Sequence, residues 1–292
     1  MRYGIAFLAR FLAVLAMTVS ALAQIPSLRL PETVEAGKAF TANTSGSGAA
    51  VLYIAGPGDV LRRNVRLGET ISFGAEDLRN AGHYLAFLVV GSLTQTSSFE
   101  VTPSHQPAAL SFFAKPSRLP VNRPDGISGV VYVFDAFHNL VLELRQVSFA
   151  LSGATGATQA RDETTRNGLA WVKINSAARA GPAEFKARVG SVQVRRVVQQ
   201  VAGDPCAVRI RARQSGPRIL LETDPVHDCS GNPVPDGTIV SFTETYADGQ
   251  ATVDAPLKRG VARTEMPARR GAVISAAVGV VMGNEIRWNG GQ

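Results

Sequence analysis

The sequence predicts an all-β protein of three tandem antiparallel β-sandwiches, and three observations carry that reading. A block of about 90 residues recurs along the chain: Asp135-Ala-Phe-His-Asn139-Leu-Val141 returns as Asp228-Cys-Ser-Gly-Asn232-Pro-Val234, displaced by 93 residues. Within each block apolar and polar side chains alternate, the period of a half-buried strand. Turn signals such as Gly56-Pro57-Gly58, Pro124-Asp125-Gly126 and Pro235-Asp236-Gly237 punctuate the runs at about the 8–12-residue spacing of sandwich folds. Composition agrees, because 45% hydrophobic against 18% charged residues excludes a disordered chain. No heptads appear, which disfavours coiled coils and long helix bundles.

The chain opens with a segment that does not belong to the fold. Arg2 and Arg10 flank a short apolar stretch, Phe11 to Val19 carries no charge, and Ala21-Leu22-Ala23 forms a small-residue processing site. Residues 1–23 are therefore expected to be a cleaved signal peptide, leaving Gln24 first. The apolar stretch is shorter than the roughly 20 residues a membrane-spanning helix needs. The expected mature chain is secreted or periplasmic, with no transmembrane segment. Its formal charge falls from +7 to +5, since the leader holds two Arg and no acid.

The first sandwich is assigned to residues 24–103. Ala81-Gly82-His83-Tyr84 resembles the entry to a late strand in which a tyrosine hydroxyl bonds back to nearby backbone. Val90-Gly91-Ser92 recurs as Val189-Gly190-Ser191, each expected to be a two-residue hairpin loop with glycine at the position that needs positive φ. Pro103 and then Gly203 and Pro205 mark the proposed boundaries.

The second sandwich spans 104–202 and the third 203–292. Their alignment runs on from the Asp–Asn blocks to Val147-Ser148-Phe149 against Val240-Ser241-Phe242, and Gly168-Leu169-Ala170 against Gly260-Val261-Ala262. Glu184 to Val189 and Arg209 to Arg213 alternate cleanly. Only the middle third is basic: residues 104–202 carry 12 Lys and Arg against 6 Asp and Glu.

Asp228-Cys-Ser-Gly231-Asn232-Pro233-Val234-Pro235-Asp236-Gly237-Thr238, followed by Val240-Ser241-Phe242-Thr243, resembles the bacterial immunoglobulin-like repeats of the invasin and intimin kind. The resemblance is strong over 203–292 and weaker over 104–202, where His138 and Leu140 stand in place of Gly231 and Pro233. Over 24–103 it is only generally immunoglobulin-like. It implies extracytoplasmic sandwich spacers and adhesion modules, and no catalytic residues. The membrane barrel that anchors such adhesins has no counterpart in this sequence, which favours a soluble accessory component.

Cys206 and Cys229 are the two cysteines, both in the third block. In an exported chain they are expected to form a disulfide tying the opening strand to the loop after the second strand. A loop of that size is worth about 3 kcal/mol on the chain-entropy model.

A search for chemistry yields little. His83, His105, His138 and His227 form no metal-ligand spacing; His138 near Asp135 and His227 beside Asp228 leave a loop metal site open, against the expected turn in which the Asp and Asn side chains bond local backbone. Glu76-Asp77 and Asp162-Glu163 are adjacent pairs, which in strands are expected to point to opposite faces. No nucleophile elbow, phosphate loop or dinucleotide glycine pattern occurs, and no catalytic residue, metal or cofactor is assigned.

One surface is sharper. A Gly190-Ser191 hairpin sets Lys186 opposite Arg195 and Arg188 opposite Gln193, so Lys186, Arg188 and Arg195 share one face. Like charges across a strand pair are unfavourable without compensation, which an anionic polysaccharide or an acidic neighbouring domain would supply; the alternative is an ordinary solvated face, with Glu184 nearby and the cations screened by salt. The partner expected is an unidentified protein or polysaccharide of the cell envelope. Nucleic acid is disfavoured, given the export signal and the lack of interleaved aromatics. The function expected is a non-catalytic spacer, adhesion or envelope interaction module. Its alternatives are a carbohydrate-binding protein, which requires aligned exposed aromatics, and a hydrolase without a recognisable motif.

Overall fold

The computed structural model describes residues 25–153, 155–267 and 269–290. The expected signal peptide lies outside the described residues. Every regular element described is a strand, and the strands form two compact units. The first comprises residues up to Gln106 together with Asp135–Val141; the second comprises Pro107–Phe134 and the chain from Leu142 onward.

The first unit is one sandwich of β1 (Ser27–Arg29), β2 (Thr33–Glu35), β3 (Phe40–Ser45), β4 (Ala49–Gly56), β5 (Asp59–Arg66), β6 (Thr70–Phe73), β7 (Gly82–Val90) and β8 (Leu93–Thr102). A three-stranded sheet, β1-β3-β6, faces a five-stranded sheet, β2-β8-β7-β4-β5. All pairings are antiparallel except β2 with β8. The alternation of β4, with Ala50, Leu52 and Ile54 buried, sends those side chains onto Ala86 and Leu88 of β7. Phe40 stacks on Phe73 with centroids 4.4 Å apart. Tyr84 is buried and its hydroxyl donates to Asn80 O at 2.8 Å, the backbone bond expected of that motif. Phe137, from the Asp135–Val141 segment, packs against the same core.

The second unit holds two sandwiches. One consists of β9 (Ala109–Lys115), β10 (Arg118–Pro120), β11 (Ile127–Phe134), β12 (Gln146–Ser152), β13 (Thr158–Thr164), β14 (Leu169–Ile174), β15 (Gly181–Val189) and β16 (Val192–Val201). Again a three-stranded sheet, β14-β11-β9, opposes a five-stranded one, β10-β16-β15-β12-β13. Its centre is an aromatic trio in which the Phe112 ring lies 5.1 Å from that of Phe185 and 6.0 Å from that of Phe149.

The other consists of β17 (Ile210–Ser215), β18 (Arg218–Thr223), β19 (Ile239–Tyr246), β20 (Gly249–Pro256), β21 (Arg263–Pro267), β22 (Val273–Val278), β23 (Val281–Met282) and β24 (Ile286–Arg287). Its sheets are β17-β18-β21 and β20-β19-β22-β23, with β24 also on β22. One core-facing position is polar. Glu244 follows Val240 and Phe242 on the buried side of β19, fully enclosed, and Arg269 Nη1 donates to its Oε2 at 2.5 Å.

Candidate interaction sites

The two repeated Asp–Asn loops make matching hydrogen bonds, one set in each unit. In the second unit, Asp228 Oδ1 accepts from the Ser230 and Asn232 amides at 2.9 and 2.8 Å, folding the loop on itself. Its Oδ2 accepts from Gly203 N–H, in the segment between β16 and β17, at 2.9 Å. Asn232 then reaches the preceding sandwich: Oδ1 accepts from Ala180 N–H and Nδ2 donates to Ala178 O, both at 2.8 Å. The side chains thus latch two consecutive sandwiches together through backbone. Asn122 and Arg179 add contacts to Ser230.

Inside the first unit the pattern repeats. Asp135 accepts from Phe137, Asn139 and Ser104 amides, while Asn139 accepts from Ala81 N–H and donates to Arg79 O. The receiving groups, Arg79, Ala81 and Ser104, precede Ala178, Ala180 and Gly203 by 99 residues each. Both carboxylates are almost wholly buried. Burial alone would raise their pKa, yet the side-chain bond from Asn139 or Asn232 and the surrounding amides outweigh it and hold both below the ordinary carboxylate value. These aspartates are turn residues whose oxygens are taken by nitrogen donors.

Cys206 and Cys229 are joined by a disulfide, with Cα atoms 4.7 Å apart. It sits beside the latch, since Cys229 follows Asp228 directly. Cys206 lies ahead of β17, so the bond anchors the segment before the opening strand.

The hairpin of β15 and β16 has the expected register, with Val189 opposite Val192, Arg188 opposite Gln193 and Lys186 opposite Arg195. Gly190 has φ of +55°, which a side chain adopts with strain. Glu184 lies two residues from Lys186 on the same face and bridges both cations, at 3.2 Å from Lys186 Nζ and 3.3 Å from Arg195 Nη1. Hydrogen bonding to Lys186, then to Arg195, holds the Glu184 carboxyl below its ordinary value. Compensation for the facing cations is therefore present within the protein.

A further surface escaped sequence reasoning. On the outer side of β14-β11-β9, one cross-strand row reads Trp171, Val130, Phe113 and the next reads Leu169, Tyr132, Ser111. Trp171 is 60% and Phe113 53% exposed, and the Phe113 and Tyr132 rings meet edge to face at 6.3 Å. The equivalent faces elsewhere are mostly polar: Thr41, Asn43, Thr70 and Ser72 in the first unit, and Arg211, Arg213, Glu222, Arg263 and Glu265 around a single outward leucine, Leu220, in the last sandwich. The signal available in sequence is Val130-Val131-Tyr132-Val133-Phe134, a strand apolar on both faces although only one side meets the core.

No family model matches the chain, and no curated protein matches it. Among solved structures, FdeC, described as a broadly conserved Escherichia coli adhesin, aligns over 92% of this chain and 98% of its own at 16% identity, with a TM-score of 0.57. Invasin, a bacterial integrin-binding protein, aligns over 88% of this chain and 57% of its own at 13% identity, with a TM-score of 0.44. At such identities the FdeC match speaks to fold: the chain is folded like the tandem immunoglobulin-like sandwiches of a bacterial adhesin over most of its length.

Proposed function

We propose that the chain is an exported, non-catalytic array of immunoglobulin-like sandwiches, serving as a spacer or adhesion module of the cell envelope. One observation carries this reading: consecutive sandwiches of the second unit are latched by Asp228 and Asn232 rather than left on a free linker. A module that holds a binding surface at a set position needs such a joint. The sequence blocks 24–103, 104–202 and 203–292 are the repeating parts of the array. The disulfide suits the oxidising compartment that the leader addresses. Lys186, Arg188 and Arg195 belong to the reading as a contact for an anionic envelope component, with Arg188 the one not bridged by Glu184.

Residual dipolar couplings on the intact oxidised protein test the joint. A single alignment tensor is expected for the two sandwiches of the second unit, splitting into two in Asn232→Ala. Two independent tensors in the unaltered protein would overturn the spacer reading. Affinity capture against envelope extracts then identifies the partner.

A further inference from the structure

The outer face of β14-β11-β9 is not explained by the sandwich fold, because the same face is built from hydroxyls and amides in one sandwich and from ion pairs in another. We propose that this face, with the groove along its Trp171 edge, binds an extended polysaccharide chain.

Three observations fit that occupant. Trp171 and Phe113 stand on strands two apart, about 10 Å at the usual inter-strand spacing, with Val130 between them. A sugar chain laid across the strands would meet both rings with the apolar C–H faces of its pyranose units. Beyond Trp171, between β13 and β14, lies an open groove of about 800 Å³. Its walls carry Asp125, Arg161, Asp162, Glu163 and Arg166, whose side chains make no ion pair with one another among the described residues. Donors and acceptors left open beside an aromatic platform are what a polyhydroxylated ring requires.

A protein partner fits less well. Lys115 and Lys173 flank Ser128 in the row next to Trp171 and Phe113, both exposed. A protein seated on Trp171 and the adjoining groove would cover Asp125, Arg161, Asp162, Glu163 and Arg166, charge that interface cores exclude, whereas at a sugar site these groups and the two lysines meet hydroxyls or carboxylates. The inference stands apart from the latch, which lies elsewhere in the unit.

The test is affinity electrophoresis of the intact oxidised protein in gels containing laminarin, soluble chitosan, xylan or alginate, with fluorescence titration by the corresponding hexasaccharides. Trp288 is 8% exposed, so a change in quencher access on binding reports Trp171. Retardation by at least one polysaccharide is expected, weakened about tenfold or more in Trp171→Ala as for an aromatic anchor. Phe113→Ser weakens it too, and Trp171→Phe retains part of it. Lys115→Ala with Lys173→Ala separates the sources: retention by an acidic chain falls more than retention by a neutral one. Retention by none of the four, or equal retention of wild type and Trp171→Ala, overturns the proposal. So does self-association that Trp171→Ala abolishes while polysaccharide has no effect, which would assign the face to a second copy of the chain.

Discussion

The ring of Phe137 occupies the space a β-carbon on Gly37 would need: such an atom would stand 2.2 Å from two ring carbons. Gly37 also has φ of +71°, a conformation side chains adopt with strain. Gly37→Ala is therefore expected to destabilise the first unit by about 2 kcal/mol, combining backbone strain with overpacking. Phe137→Ala added to it should relieve the clash, so the two changes together cost less than their sum in urea denaturation. Strict additivity would mean that the ring does not lie against Gly37 in solution.

Asn232→Ala leaves Ala180 N–H and Ala178 O without their partners. Both bonds are only part-buried, so water can take the vacated positions and the cost is that of the bonds themselves, about 0.5–1.5 kcal/mol each, with hydrogen exchange at Ala180 quickened accordingly. Asn232→Asp should be no milder, because it sets a second carboxylate beside Asp228 and removes the Nδ2 bonds to Ala178 O and to both Asp228 oxygens. Unchanged exchange at Ala180 in either variant would remove the latch from the account.

Asp135 and Asp228 bind a proton less readily folded than unfolded. Between the two values the unfolded chain holds more protons, so stability rises with pH there. Their contribution is complete above the unfolded value of about 3.9 and is lost as pH falls through the lower folded value. Asp228→Asn should be less stable than wild type at neutral pH, with a shallower acid limb below pH about 4 when melting temperature is followed. An acid limb of unchanged slope would show that other carboxylates dominate.

Removing the disulfide, as Cys206→Ser with Cys229→Ser, should lower stability by about 3 kcal/mol. The loss should be confined to the last sandwich, with the Tyr84 core of the first unit melting as before. Free alkylation of both thiols in the native oxidised protein would contradict the bond.

Glu184→Gln uncovers the facing Lys186 and Arg195. The variant is expected to melt lower than wild type at low ionic strength and to converge with it in high salt, because exposed charges are screened. Equal melting in both conditions would show that Glu184 does not offset the pair.

Much of this was legible in the residues, and what was not has a physical reason. The Gly190-Ser191 loop alone sets the β15–β16 register, which is why the placement of Lys186 against Arg195 could be read directly. Asp135 and Asp228 could be read as turn residues because their bonds to the next two and four amides are local. The bonds of Asn139 and Asn232 join groups more than 50 residues apart in sequence, so no window of sequence contains both ends. Trp171 and Phe113 are aligned through β11, and that alignment depends on two long connections whose length carries no register. Glu244 runs against the alternation of β19, and its partner Arg269 comes from a different strand connection.

The bond between Cys206 and Cys229 also determines how the last sandwich would respond to pulling. The cysteines are 23 residues apart in sequence and bracket β17 and β18 completely. Tension drawn along the backbone crosses the sulfurs and bypasses both strands, withholding about 75 Å of extendable chain at roughly 3.3–3.6 Å per residue. Under load the oxidised protein is thus shorter at full extension than its residue count implies, and β17 and β18 remain tethered beside the linker after the sheets around them have parted.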